Sequence, residues 1–233
     1  MMKIAVITGA SSGMGKEFAV RLDKQEKFDE IWVIARRKER LEELRELISA
    51  PIRAISLDLT QKESIDIYTN LLEQHKPEVA VMVNASGYGK FAAFADLSLD
   101  EQLGMIDLNA SSLVAMTYVT LPYLTKGSRV YQIDSLSAFQ PVPYIAVYGA
   151  TKSFVLSFTR AINMELKGRG IKFMAVCPGW VKTEFFDRAV VDTSVITYYN
   201  QFFTPEQVVT RAFRDMKKGR DVSVCGFKIR AQV

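Results

Sequence analysis

Short apolar runs alternate along this chain with stretches in which apolar side chains recur at helical spacing. Lys3–Thr8, rich in β-branched residues, reads as a buried strand. Gly13 to about Glu26 reads as a helix with Phe18, Ala19 and Leu22 on one face. Glu30–Ala35 is a second strand. Lys38–Ser49 is a helix, with leucines at 41, 44 and 47 and dense charge between them. Ile52–Leu57 is a third strand, closing on Asp58. The pattern continues with a helix over Lys62–Gln74, a strand over Val79–Asn84, a long helix over Asp100–Leu124 and a strand over Ser128–Asp134. It then gives a helix over Ala146–Leu166, a strand over Ile171–Cys177, a helix over Pro205–Lys217 and a last strand over Val222–Cys225. Strands separated by helices predict an α/β fold: a doubly wound parallel sheet, in three layers, with right-handed crossovers. No linker, low-complexity segment or internal repeat interrupts the rhythm. Residues 1–233 therefore read as a single domain.

Composition narrows the function classes. The 233 residues are 48% hydrophobic and 24% charged, ordinary for a globular protein, and long enough to bury a substantial core. The net charge of +4 is mild. The basic residues are scattered, as in Arg36-Arg37-Lys38 and Lys217-Lys218, which argues against a nucleic-acid partner. Cys177 and Cys225 lie far apart without metal-ligand spacing and read as reduced thiols. The N-terminal apolar run is too short for a secretory leader. No run of ~18 apolar residues offers a membrane span, so the expected compartment is the cytoplasm. No His/Cys/acid cluster points to a metal. His75, the only histidine, ends a polar helix far from the strand ends where the motifs gather, which argues against a Ser–His hydrolase.

Two motifs carry chemistry. After the first strand the chain reads Gly9-Ala10-Ser11-Ser12-Gly13-Met14-Gly15 and enters a helix. A strand, glycines and a helix N-terminus suit a pyrophosphate: the helix offers free N–H groups and partial positive charge, and glycines let the backbone approach. The spacing is Gly-x-x-x-Gly-x-Gly, so the loop alone is a weak signal. The second motif is the chain's only Tyr-x-x-x-Lys, Tyr148 and Lys152, with Ser135 thirteen residues upstream. Positions i and i+4 share a helix face, so phenol and ammonium can enter one cleft. A neighbouring ammonium favours phenolate, and Ser135 at a strand end can donate to an oxygen on which charge develops. Together the motifs point to redox interconversion of carbonyls and alcohols.

At these residues the chain resembles the short-chain dehydrogenase/reductase family, and the resemblance covers nearly its whole length. It implies a Rossmann-like sheet and a bound nicotinamide dinucleotide. Thr8 to Gly15 is similar to the family's cofactor loop. Asp58, followed by Leu59, stands where the family hydrogen-bonds adenine. Asn84-Ala85-Ser86-Gly87 replaces Asn-Asn-Ala-Gly, with Ala85 departing from the second asparagine. Asn109 matches the family's fourth catalytic residue, where it would hold a water linking Lys152 to solvent. Ser135, Tyr148 and Lys152 match the other three, Lys152 also reaching the ribose hydroxyls. The family's Ile-Ser-Ser run aligns with Ile133-Asp134-Ser135, which selects Ser135 over Ser137 and leaves Asp134 as an unexplained acid. Pro178-Gly179-Trp180-Val181-Lys182-Thr183 is similar to the segment beside the nicotinamide.

The end of the second strand bears on the choice of nucleotide. An acid there would bind a ribose 2′-hydroxyl. This chain has Arg36-Arg37, whose guanidinium forks suit a 2′-phosphate, with Ser11 or Ser12 adding a hydroxyl. The expectation is NADP(H) rather than NAD(H). The segment at about 184–204 carries Phe185, Phe186, Tyr198, Tyr199, Phe202 and Phe203 and reads as a loop over the substrate. Phe91, Phe94, Phe139 and Tyr144 are expected in the same cleft, so the small-molecule carbonyl or alcohol would be fairly apolar. Two rivals are a catalytically idle NADP-binding scaffold, disfavoured by four intact catalytic positions, and a sugar-nucleotide epimerase, which would need a further substrate domain. Apolar side chains on the two long helices (Leu113, Met116, Val119, Phe154, Phe158, Ile162) predict a homodimer or homotetramer. The ending Phe227-Lys228-Ile229-Arg230 reads as the start of an apolar-basic helix cut short, whose continuation would touch membrane or a partner subunit.

Overall fold

The computed structural model describes residues 1–189 and 202–226. Its elements are β1 (Lys3–Thr8), α1 (Gly13–Gln25), β2 (Glu30–Ala35), α2 (Lys38–Glu42), β3 (Ile52–Ser56), α3 (Lys62–His75), β4 (Glu78–Asn84), α4 (Leu99–Ile106), α5 (Ser112–Thr120), β5 (Arg129–Ile133), α6 (Ala146–Glu165), β6 (Lys172–Val176), β7 (Trp180–Val181), α7 (Phe185–Ala189), β8 (Phe202–Phe203), α8 (Pro205–Lys217) and β9 (Val222–Ser223). Seven strands form one parallel sheet in the order β3-β2-β1-β4-β5-β6-β9.

Both faces of the sheet are apolar because alternate strand residues feed opposite layers. Ala5, Ile7, Val33, Val83, Tyr131 and Val176 pack beneath α1, α2 and α8, through Phe18, Leu22, Leu41, Val209 and Phe213. Val6, Trp32, Met82, Val130 and Phe173 pack against α3, α5 and α6, through Tyr68, Leu72, Met116 and Ile162. The strand order reverses between β1 and β4, which opens a crevice at their carboxyl ends. The edge strand β9 is held by Asp215 of α8, which is fully buried and accepts hydrogen bonds from Arg211 (2.6 Å), Arg220 (3.1 Å) and Ser223 (3.0 Å).

Several elements differ from the sequence expectation. The helix expected over Lys38–Ser49 is α-helical only to Glu42 and tightens into a 3₁₀ turn, Glu43–Glu46. It has to stop there, because the Asp23 carboxylate accepts from the Ser49 and Ala50 N–H groups (2.9 Å each) and turns the chain into β3. Leu47 consequently stays exposed. The helix expected over Asp100–Leu124 is interrupted by a π turn, Asp107–Ser111. Leu113 and Met116, expected on a subunit face, are buried within the chain, whereas Tyr118 and Phe154 are exposed. The pairing of β7 with β8 and the helix α7 were not expected. Tyr198, Tyr199 and the terminal segment from Phe227 lie outside the described residues. No helix among the described residues is long and apolar enough to cross a membrane.

Candidate active site

At the end of β1 the chain must turn sharply beneath β4. Gly9 does so with φ +65°, and a Cβ there would sit 2.5 Å from the Ala85 carbonyl oxygen, so only glycine fits. Thr8 closes the same junction: its hydroxyl accepts from the Ala85 and Ser86 N–H groups at 3.0 and 3.1 Å. That bridge ties β1 to β4 where the second asparagine is replaced by Ala85. In the sequence Thr8 stands out as the polar end of an apolar strand and the first residue of the cofactor-loop motif.

Two of the longer helices are capped by their own side chains. Ser98 with Glu101, and Thr204 with Gln207, form capping boxes on α4 and α8. Helix α1, like α3 and α6, has no such cap. Ser12 stands at its N-cap without a capping hydrogen bond, and the first turn carries no acid. The leading N–H groups and partial positive charge are thereby left for an anion. Met14 packs partly buried behind this turn.

Of the two arginines that follow β2, Arg37 faces this loop. Its Nη2 donates to the Ser11 and Ser12 hydroxyls, 3.1 Å each, and its Nη1 donates to Glu184 at 2.8 Å. Arg36 points elsewhere, exposed and 3.9 Å from the Asp58 carboxylate. Asp58 is itself engaged with the Thr60 N–H (3.1 Å) and hydroxyl (2.8 Å), and Leu59 is buried beside it.

The catalytic candidates converge at the ends of β5 and α6. Tyr148 and Lys152 are both buried, with the Lys152 nitrogen 5.7 Å from the Tyr148 ring centre. Lys152 donates to the Ile133 carbonyl at 2.8 Å. The Ser135 hydroxyl lies beside the Tyr148 phenol and accepts from the Ser137 N–H at 3.2 Å, whereas the Ser137 hydroxyl is buried without a partner. Burial raises the Tyr148 pKa, opposed by the Ser135 hydroxyl and reinforced by Asp134. Burial lowers that of Lys152, opposed by the charge of Asp134. Asp134 itself is pushed up to about 7 by burial, against the attraction of Lys152 and the Ser135 N–H. Its carboxylate accepts from that N–H at 2.9 Å and lies 3.6 Å from the Cys177 sulfur. Burial and the neighbouring carboxylate raise the Cys177 thiol.

The π turn inserts one extra residue into a helical turn, a device common at functional sites, and buries Asn109 there. Its side chain donates to the Tyr88 carbonyl (2.8 Å) and the Thr151 hydroxyl (3.1 Å) and accepts from the Tyr88 N–H (3.0 Å). The side chain thus fixes the loop after β4 to α6 and makes no hydrogen bond to Lys152. Gly87 lies between them: a Cβ there would come 2.9 Å from Asn109 Oδ1 and 3.8 Å from Lys152 Nζ. Asn84 donates to Thr117 at 3.1 Å, beneath that loop.

Aromatic rings cover the phenol. Phe185 lies 5.7 Å and Phe91 6.2 Å from Tyr148, centre to centre, and Phe186 joins Phe185 to Trp180. Phe202, beyond the undescribed residues, meets Phe186 at 5.5 Å. Pro178 accepts from the Leu136 N–H (3.0 Å), Gly179 follows, Val181 pairs with Phe203, and Thr183 lies against Gly13. Two expected lining residues are placed elsewhere. Phe139 packs with Ala175, Cys177 and Val224, because the 3₁₀ turn Leu136–Ala138 carries it past the cleft, and Phe94 is exposed. Tyr144 is half-exposed in the left-handed region, φ +67°, with its carbonyl accepting from Ala92 at 3.0 Å. His75 stacks edge-on to Trp32, away from the crevice.

Comparison with known proteins gives a consistent picture. The chain is 33% identical over 183 residues to an uncharacterized oxidoreductase of Staphylococcus epidermidis, covering 78% of this chain and 79% of that one. It is 34% identical over 194 residues to sulfoacetaldehyde reductase 2 of Chromohalobacter salexigens, covering 79% and 75%. Among solved structures, a short-chain dehydrogenase from Sphingobium yanoikuyae in complex with NADPH superposes with a TM-score of 0.84 at 24% identity, covering 96% and 87%. One from Burkholderia phymatum in complex with NAD gives 0.85 at 18%, covering 99% and 91%. These two structures share the fold, and their nucleotides differ. A sequence model of the short chain dehydrogenase family matches residues 3–193. With its parallel sheet, its open helix N-terminus and its Ser–Tyr–Lys cluster, the chain belongs to the short-chain dehydrogenase family.

Proposed function

We propose that this protein transfers a hydride between NADP(H) and a fairly apolar carbonyl or secondary alcohol, as one catalytic domain. The observation that carries the reading is the meeting of Ser135, Tyr148 and Lys152 at the ends of β5 and α6. The nicotinamide dinucleotide, when bound, supplies or accepts the hydride. The protein supplies everything else. The phenol, held protonated by burial, gives its proton to the carbonyl oxygen in the reductive direction and takes it back in the oxidative one. Ser135 donates to the same oxygen as charge grows on it. Lys152 stabilises the phenolate left behind. The pyrophosphate fits the uncapped start of α1, with Asn84, Ala85 and Ser86 along the ribose side. Arg37, with Ser11 and Ser12, suits a 2′-phosphate. Phe91, Phe185 and Phe186 offer apolar walls to the substrate.

Incubation with a panel of aldehydes and ketones plus NADPH, following loss of reduced-nicotinamide absorbance, tests this directly. Turnover that favours bulky apolar carbonyls and NADPH over NADH supports it. No turnover across the panel, with nucleotide binding intact, would favour an idle scaffold. We also read the exposed Leu99, Leu103, Ile106, Tyr118 and Phe154 as a face for a second copy. Light scattering at micromolar concentration is then expected to give a dimer or tetramer, and a mass near the 26.2 kDa of one chain would refute it.

A further inference from the structure

Three consecutive residues after β7 touch three parts of the site. Thr183 lies over the glycine loop, its Cγ2 3.1 Å from where a Cβ on Gly13 would stand. Glu184 accepts from Arg37 Nη1 at 2.8 Å. Phe185 packs against the Tyr148 ring at 5.7 Å. Glu184 is thus tied covalently to the aromatic cover and electrostatically to the arginine that also holds Ser11 and Ser12. A carboxylate and a phosphate monoester seek the same guanidinium N–H groups, and they repel each other. A nucleotide bearing a 2′-phosphate therefore has to take Arg37 from Glu184, and one lacking it does not.

We propose that Glu184 is a specificity-determining residue for the nucleotide: it holds Arg37 beforehand, yields it to a 2′-phosphate, and through Phe185 couples that exchange to the aromatic cover of Tyr148. The inference rests on the reading of Arg37 as the 2′-phosphate ligand. The pair is about one-third exposed on each side, and its better ordered counterparts contribute ~0.4–1 kcal/mol. Removing the carboxylate thus unmasks about a twofold to fivefold gain in affinity for a 2′-phosphate. Trp180, 5.5 Å from Phe186, reports on the cover. The other tryptophan, Trp32, is fully buried in the core and stays constant.

The test uses the full chain and two probes that differ only in the 2′-phosphate: adenosine 2′,5′-bisphosphate and adenosine 5′-monophosphate. Calorimetric titration compares the parent with Glu184→Gln, Glu184→Ala, Arg37→Ala and the Arg37→Ala/Glu184→Gln double variant, and tryptophan emission is read at saturation. Both Glu184 variants are expected to bind the bisphosphate about twofold to fivefold more tightly and the monophosphate as before. The gain should vanish in the Arg37→Ala background, as coupled neighbours require. The parent's emission should change with the bisphosphate and not with the monophosphate. If the Glu184 variants leave bisphosphate affinity unchanged or weaken it, while Arg37→Ala abolishes the preference, the role of Glu184 is refuted and that of Arg37 stands. If emission responds identically to both probes, the coupling to the cover is refuted. If the parent binds both probes equally and Arg37→Ala changes nothing, the reading of Arg37 itself fails, and the proposal with it.

Discussion

On the β5–α6 side of the cleft Lys152, Asn109 and Ser135 are held by directed bonds. Lys152 is fixed to the Ile133 carbonyl, Asn109 to residue 88 and Thr151, and Ser135 to the Ser137 N–H. On the β7–α7–β8 side the contacts nearest the phenol are ring to ring, among Trp180, Phe185, Phe186 and Phe202, over strands only two residues long. Among the described residues, the backbone bonds that anchor that side include Lys182 to Phe203 at 2.9 Å and Phe91 to Ala189 at 2.7 Å. Hydrogen bonds fix the direction of an atom, whereas ring packing tolerates sliding. A proton donor has to be placed within a few tenths of an ångström, and a substrate wall has to suit one shape among many. Under the proposed function, the reaction belongs to the first side and substrate choice to the second.

The largest expected effect lies on the first side. Tyr148→Phe removes the proton donor and keeps the ring packing, so turnover should fall ~10²–10⁴-fold while NADPH still binds. Phe185→Leu makes the matching change on the second side. It should reorder the preferred carbonyls and lower turnover less than about tenfold. Parallel kcat and KM values over the carbonyl panel separate the two. Comparable losses of kcat in both variants would erase the distinction between the walls.

Asp134 sharpens the comparison by making the first side sensitive to pH. Its carboxyl is raised from the ordinary 3.8 to about 7 in the fold. The folded state therefore holds a proton that the unfolded chain has lost. Its stabilising contribution is complete below about pH 4 and is lost as pH rises through 7. The gap corresponds to about 4 kcal/mol as an upper bound, with the attraction of the Lys152 ammonium already included. In Asp134→Asn this component is absent, so in denaturant unfolding the variant should gain on the parent from pH 5 to about pH 7 and level off above it. A constant difference across that range would show that Asp134 does not titrate there.

Arg37 stands between the two sides, so its effect should be intermediate. Arg37→Ala removes charge-assisted contacts worth ~1.5–3 kcal/mol, or about one to two decades of NADPH affinity. NADH binding should be nearly unchanged. Arg36→Ala, acting on a side chain that faces Asp58, should change neither by more than a fewfold. If Arg36→Ala had the larger effect, the assignment of the 2′-phosphate corner would reverse.

The same division governs what could be read from the sequence. The sheet was legible because every buried strand is a local apolar run, and Tyr148 and Lys152 because one helical turn joins them. The glycine loop was legible for the same reason, since its bend is written in contiguous residues. Glu184 was not: its partner Arg37 is 147 residues away, and only the folded chain brings them together. The β7–β8 pair was missed because two-residue strands carry no periodicity, and Phe139 was misplaced because a single 3₁₀ turn decides which way it faces. Arg36 and Arg37 looked equivalent in sequence. The direction of each side chain, which the run of basic residues does not encode, separates them.

The smallest expected effect compares two helix starts that look alike in sequence. Thr204 and Ser12 are both hydroxyl residues at an N-cap. Thr204 accepts from the Gln207 N–H at 3.3 Å, with the Gln207 side chain answering at 2.9 Å. Ser12 makes no such bond and instead accepts from Arg37. In the absence of nucleotide, Thr204→Ala should lose about 1 kcal/mol of stability, at the point where β8 hands over to α8. Ser12→Ala should lose less than about 0.5 kcal/mol, the range of a substitution that breaks no cap. Adding NADPH should reverse the order. Ligand stabilisation depends on affinity, so Ser12→Ala, which removes a hydroxyl from the phosphate corner, should be rescued less than Thr204→Ala. Equal costs without nucleotide would mean that Ser12 caps α1 after all, and that the helix start is not held open for an anion.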